Sequence, residues 1–156
     1  EMLKIVSRSA ELLSIKTDPE GAAVIASRSR GTPRIGNRLL RRVRDFATVR
    51  GEGHIDAEIA EKSLAMEGVD NRGLDDLDRA LLKIIIQYYD GGPVGIEAVA
   101  ATLSEESNTL EELVEPYLLK IGFLMRTKRG RTVGPEAYHH LGITPSAGRA
   151  QSDLFA

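Results

Sequence analysis

The chain has 156 residues, 42% of them hydrophobic and 4% aromatic, with neither tryptophan nor cysteine. That length suits one domain or two small ones, and the composition points to an aliphatic, largely helical core. Without cysteine there are no disulfides and no thiolate metal site, which fits a cytoplasmic protein, and no apolar run approaches the roughly 20 residues that span a bilayer. The net charge of −2 conceals an asymmetry. Residues 1–73 hold 13 Lys and Arg against 11 Asp and Glu, whereas residues 74–142 hold 7 against 11, and four of those seven bases fall between Arg126 and Arg131. An acidic stretch that gathers its positive charge in so short a segment presents a local anion-binding feature.

In chain order, Met2, Leu3, Val6 and Leu13 predict an amphipathic helix that stops before Thr17. The opening residues lack a signal-peptide layout and read as a helix already under way, as in a piece of a longer chain. Asp18-Pro19 then forms a cap-and-proline start, and Ala22, Ala23, Val24, Ile25 and Ala26 fill a small, closely packable helix ending at Gly31.

Gly31 to Ala47, GTPRIGNRLLRRVRDFA, comes next. Gly31 closes one helix, Thr32 caps another, and Pro33 suits its first position. Ile35, Leu39, Val43 and Phe46 make an apolar stripe that Leu40 and Ala47 widen, while Arg34, Arg38 and Arg41 form a separate ridge. Arg34 is awkward there, because a helix N-terminus already carries partial positive charge. The arrangement becomes favourable when an anion is present, since free N–H groups and a guanidinium can converge on one phosphate. The plain alternative is a solvated arginine face.

A turn at Arg50–Gly53 leads to a fourth helix that opens at Ile55-Asp56, with Ile55 stapling against Ala60, and closes at Gly68. Four helices with short connections predict a small all-α domain. Residues 69–73, VDNRG, have linker character. Asp75, Asp76 and Asp78 crowd the next helix start, where acids suit the helix dipole more readily than they suggest a metal site. Leu77, Leu81, Ile84, Ile85 and Tyr88 form that helix's expected buried stripe, and Gly91-Gly92-Pro93 breaks it. A short helix follows on Ile96, Val99, Ala100 and Leu103. Asn108 or Thr109 then caps a third, with Glu111 and Glu112 in capping-box position, Pro116 kinking it and Gly122 ending it. From Phe123 to Val133 the period changes to that of a β-hairpin, and a brief helix covers Pro135 to Leu141. Residues 146–156 are small and polar, and read as a disordered tail.

Three helices and a hairpin are the order of a winged-helix domain, so the fold class is mainly α, with a single hairpin wing. In many such domains the third helix reads the major groove, but here it carries Glu111, Glu112 and Glu115 with Lys120 its only base. Three carboxylates facing phosphates would be repelled. Nucleic-acid contact is therefore expected at the hairpin, through Arg126, Lys128, Arg129 and Arg131, with little sequence preference. The alternative is a charged tip that keeps a strand edge from aggregating. No catalytic constellation appears. His54 lies in a turn, His139 and His140 are adjacent, and no phosphate loop is present. The chain alone is not expected to turn over a substrate. A winged-helix transcription regulator with a helical dimerisation domain is the competing functional class, and the acidic third helix argues against it.

Three segments, GTPRIGNRLLRRVRDFA, LEELVEPYLLKIGFLMRTKRGR and LGITP, in this order and spacing closely resemble the C-terminal part of the bacterial RuvB family, ATP-driven motors of Holliday-junction branch migration. The resemblance runs from residue 1 to Pro145. It implies that residues 1–73 are the helical sensor-2 lid of an AAA+ ATPase and residues 74–145 a winged-helix DNA-binding domain. By that resemblance Arg34 matches the sensor-2 arginine that contacts ATP phosphates. Arg126 and Arg131 match DNA-contacting positions, with Arg129 a helper, and neither a catalytic residue nor a metal ligand falls in this stretch. ATP and Mg²⁺ would be held mainly by a large N-terminal domain absent from this sequence, which in the family also docks on RuvA. The implied whole is an ATP-dependent DNA helicase or translocase of the bacterial cytoplasm. Its implied partners are Holliday junctions and double-stranded DNA, RuvA, other RuvB subunits in a hexameric ring, and RuvC. One departure is Ser107, where some members are expected to carry a DNA-contacting arginine.

Overall fold

The computed structural model describes residues 1–146 and divides into two compact units, Glu1–Asp76 and a second that begins at Leu77. The expected disordered tail lies, but for Ser146, outside the described residues.

The first unit contains α1 (Met2–Leu12), β1 (Lys16–Thr17), α2 (Pro19–Ser27), α3 (Pro33–Arg50), β2 (His54–Ile55) and α4 (Ala57–Met66). Its core is aliphatic: Val6, Ile25, Leu40, Val43, Ile55 and Leu64 are all fully buried. The first helix turns Val6 and Ala10 inward, while Leu3 and Leu13, expected in its stripe, are exposed. Two short strands absent from the sequence reading pair in parallel, Lys16 with His54 and Thr17 with Ile55. Gly21 allows α2 to approach this pair, since a Cβ there would stand 2.8 Å from the Ile55 carbonyl oxygen.

Capping differs from expectation in an instructive way. Asp56 accepts from the Ile59 N–H at 2.8 Å and caps α4. Asp18 occupies the N-cap of α2, but its carboxylate meets His54 Nε2 at 2.8 Å instead of the helix. Helix α2 also stops at Ser27, earlier than Gly31. The buried Ser29 hydroxyl donates to the Ile25 carbonyl at 2.6 Å, and Arg30 and Gly31 both adopt positive φ, so the intervening residues form a turn.

That turn is tied on two sides. Arg28 Nη2 donates to both carboxylate oxygens of Glu61 on α4, at 3.0 and 3.1 Å. Arg30 Nε donates to the Gly73 carbonyl at 2.9 Å. The linker itself is a closed loop. The Asp70 N–H donates to the Leu74 carbonyl at 3.0 Å, while its carboxylate accepts from the Arg72 and Leu74 N–H groups at 2.9 and 3.0 Å. Gly73 has φ of 79°, and a Cβ there would lie 2.9 Å from the Arg28 carbonyl oxygen.

The second unit contains α5 (Asp76–Tyr89), α6 (Ile96–Leu103), α7 (Ser107–Thr109), a π-helical turn (Leu110–Val114), α8 (Glu115–Lys120), β3 (Leu124–Thr127), β4 (Gly130–Val133) and α9 (Pro135–Leu141). On α5, Leu81, Leu82 and Ile85 are buried and Tyr88 is 69% exposed, so the stripe runs through Leu82 and not Tyr88. Asn108 and Thr109 lie inside α7, whose N-cap is Glu106, and neither caps a helix. Pro116 acts one turn earlier than a simple break. It has no N–H for the Glu112 carbonyl, and its ring would crowd that carbonyl in an α-helix. The turn before it widens, and the Glu115 N–H reaches back five residues to the Leu110 carbonyl.

Substitution at two glycines separates backbone strain from crowding. Gly73→Ala meets both, whereas Gly53→Ala, at φ of 77° with nothing within 4 Å, meets strain alone. Left-handed backbone costs a residue with a Cβ about 1–2 kcal/mol. Urea melts are expected to show Gly53→Ala within that range and Gly73→Ala clearly beyond it.

Candidate functional site

Two sites stood out in the sequence, one in each unit. In the first, Pro33 and Arg34 form the opening of α3, and Arg34 is exposed. Thr32 holds the N-cap position with extended backbone angles, yet its hydroxyl does not cap the helix and instead lies 3.5 Å from the Arg30 carbonyl. The first helical hydrogen bond runs from the Gly36 N–H to the Thr32 carbonyl at 3.0 Å. The N–H groups of Arg34 and Ile35 are thus first-turn donors with no side-chain cap, at the positive end of the longest helix in this unit. Arg34, Arg38 and Arg41 make no side-chain ion pair among the described residues. An exposed guanidinium beside open backbone donors fits a phosphate group. No described group of three or more His, Asp or Glu residues is placed to hold a metal ion.

In the second unit the wing arises from strand alternation. Leu124 and Val133 are buried and pair across the hairpin, so the face they share points into the unit. Two residues further along each strand, Arg126 pairs with Arg131 on that same face. Like charges directly opposite are destabilising. The conflict is resolved by Glu115, the first residue of α8, which is 1% exposed. Arg131 Nε donates to Glu115 Oε1 at 2.7 Å and its Nη2 to Oε2 at 3.4 Å. Arg126 Nη2 donates to the same Oε2 at 2.9 Å and lies 3.9 Å from Glu111 Oε2.

The two arginines are nevertheless unequal. The Arg131 side chain is 16% exposed and that of Arg126 is 53% exposed. Arg131 is also held by its backbone, exchanging hydrogen bonds with Val94 at 2.7 and 3.0 Å. At the tip, Thr127 Oγ1 donates to the Gly130 carbonyl at 2.8 Å and accepts from the Arg129 N–H at 3.2 Å. That closure leaves the side chains of Lys128 and Arg129 exposed. The expected grouping of Arg126, Lys128, Arg129 and Arg131 on one hairpin is present, but its members differ in freedom. The residue that sequence reasoning missed is Glu115. It was expected on an outward acidic face with Glu111 and Glu112, and it is buried beneath the wing instead. Period-two alternation from Leu124 to Arg126 was the available signal, because an inward-facing arginine requires an acid.

A small helical unit with an open helix start, followed by a winged helix with a cationic wing, defines the class: a helical lid joined to a winged-helix domain. Comparison with known families agrees: residues 1–70 match the RuvB AAA lid domain and residues 71–142 the RuvB C-terminal winged helix domain. The chain belongs to the RuvB family. Among solved structures it is similar to the RuvB Holliday junction branch migration motor of Thermotoga maritima, at 48% identity and a TM-score of 0.87 over 92% of this chain. Point mutants of that protein match at 48% and 47% identity, with TM-scores of 0.87 and 0.86. The chain spans about half the length of these relatives, 48% of each.

The ion-pair geometry gives unequal costs. Arg131→Ala leaves a buried carboxylate with one half-exposed partner and is expected to cost about 3 kcal/mol or more in thermal or urea melts. Arg126→Ala leaves Glu115 bridged by Arg131, and about 1 kcal/mol is expected.

Proposed function

We propose that this chain is the lid and DNA-contacting portion of an ATP-driven Holliday-junction branch-migration motor. The observation that carries the reading is the coexistence, in a RuvB-family chain, of an exposed first-turn arginine at an uncapped helix start and a wing whose tip cations are free of carboxylates. Arg34 and the open donors of α3 would hold a phosphate of ATP from the lid side. ATP supplies, on hydrolysis, the loss of a phosphate contact, and its Mg²⁺ would be bound mainly by a domain outside this sequence. With that hold weakened, the lid is free to pivot, which is an order-and-hinge switch of a familiar physical kind.

The wing meets DNA. Arg126 and Arg131 would be its DNA contacts, with Arg129 a helper and Lys128 beside them. Phosphate contacts position a protein without reading sequence, so the wing would grip any duplex. In the complete protein, subunits would form a hexameric ring in the bacterial cytoplasm, with RuvA docking on the part outside this chain and RuvC joining the larger assembly.

Two measurements test this. Arg126→Ala and Arg129→Ala are each expected to weaken duplex binding equally across sequences, and to reduce the slope of log affinity against log salt by about 0.9. A strong preference among duplex sequences would favour a transcription regulator. In the longer protein, Arg34→Ala is expected to leave the fold intact, since an exposed side chain supports no core, while slowing ATP-driven branch migration. Wild-type migration rates would refute the sensor role.

A further inference from the structure

Among the described residues two buried side-chain atoms have no hydrogen-bond partner, Arg28 Nε and Asn37 Oδ1. Nearly all buried polar atoms in folded proteins are paired, so each exception calls for a reason. Arg28 has one at hand, because its guanidinium is already committed to Glu61 through Nη2. Nothing of that kind serves Asn37 Oδ1. Asn37 is half-buried on α3, between the buried Leu40 and the exposed Arg34 and Arg41. Leucine has nearly the same shape as asparagine, favours helices more, and would extend the apolar stripe there. An acceptor without a donor is the costlier choice at this position. A sequence that breaks a local rule in this way marks a functional position.

We propose that Asn37 is the positioning residue for Arg34: when Arg34 holds a phosphate of ATP, the Asn37 amide oxygen accepts a hydrogen bond from the other side of the same guanidinium. The inference rests on the reading that Arg34 senses ATP from the lid. A guanidinium has five N–H donors and no acceptor, and a phosphate engages two of them in a paired contact. The remaining donors fix the plane of the group only if an acceptor stands close. Asn37 supplies that acceptor.

Position and chemistry support the pairing. Arg34 and Asn37 are three residues apart on one helix, where side chains are neighbours with Cβ atoms about 5–6 Å apart. Helical side chains lean toward the helix N-terminus, so Asn37 covers the turn of Pro33 and Arg34, beside the open N–H groups. Arg34 makes no ion pair among the described residues, which leaves its guanidinium available. Asn37 is only half-buried and the last torsion of an amide is broad, so its oxygen can swing from the core side to the arginine ridge. A neutral amide also suits the role better than an acid would. A carboxylate at this position would hold Arg34 without any ligand and would repel the phosphate, whereas the amide does neither.

The test is ATP-driven branch migration by the longer protein, measured against ATP concentration for the wild type, R34A, N37L and R34A/N37L, with a urea melt of each. N37L is expected to raise the ATP concentration for half-maximal migration several-fold and to lower the saturating rate less than R34A does. It is also expected to melt at or above the wild-type urea concentration, because an unpaired acceptor has been replaced by an apolar group. The double variant is expected to match R34A, since Asn37 acts through Arg34. A wild-type ATP dependence for N37L alongside an impaired R34A overturns the proposal. A double variant clearly worse than R34A overturns it too, because Asn37 then acts on its own. An N37L that melts well below the wild type makes the residue structural and has the same consequence. Wild-type behaviour of R34A would instead remove the sensor reading beneath the proposal. Side-chain resonances of the unmodified protein provide a second readout that does not depend on variant folding. Adding ATP is expected to shift the Asn37 amide and Arg34 Nε–H signals together, and an Asn37 signal that stays in place while that of Arg34 moves overturns the proposal.

Discussion

A carboxylate sealed from water cannot stand alone, and in this protein the wing is built around that constraint. Glu115 lies at the base of the hairpin with two guanidiniums drawn onto it from opposite strands. Each partner would be misplaced without the others. The arginines would repel across the ladder, and the acid would be an uncompensated charge in an apolar setting. Together they join the helix after the π turn to both strands of the wing, and the hairpin's direction follows from that connection. The π turn belongs to the same device. By inserting extra chain before Pro116, it sets the angular position at which Glu115 leaves the helix.

The first unit meets the opposite problem with the opposite solution. At the start of α3 the chain leaves a cation beside uncompensated backbone donors, and no acid is supplied. Other acids of the unit have partners of their own: Glu61 pairs with Arg28, Asp18 with His54, and Asp56 caps α4. Positive charge is neutralised internally at the base of the wing and left open at the start of α3. Under the proposed function, that contrast would suit a wing shaped before it meets a polyanion and a lid completed by a ligand.

Much of this architecture was legible from sequence because local chemistry and tertiary packing agree there. Pro33 begins its helix, Asp56 caps the next, the period changes at Phe123, and Pro135 to Leu141 form the final helix. The readings that failed did so where tertiary partners outbid local ones. Asp18 was expected to cap α2, but the strand pair brings His54 within reach of its carboxylate. Tyr88 has the right spacing for the core, yet the buried stripe of α5 turns through Leu82. Glu115 looked like one more acid on a polar face, because a π turn shifts helical phase without any marker beyond the proline that follows it. The candidate site was therefore legible as a set of residues, while the pairing that organises it was not.

The closed loop at Asp70–Leu74 has a bearing on how motion could travel. Residues 69–73 have the composition of a slack tether, but their hydrogen bonds close them into a loop seated on the Arg28–Arg30 turn. That turn ends immediately before Thr32 and the opening of α3. The helix start that bears Arg34 and the chain's exit from the first unit are consequently joined through one hydrogen-bonded turn, a shorter route than the sequence separation suggests.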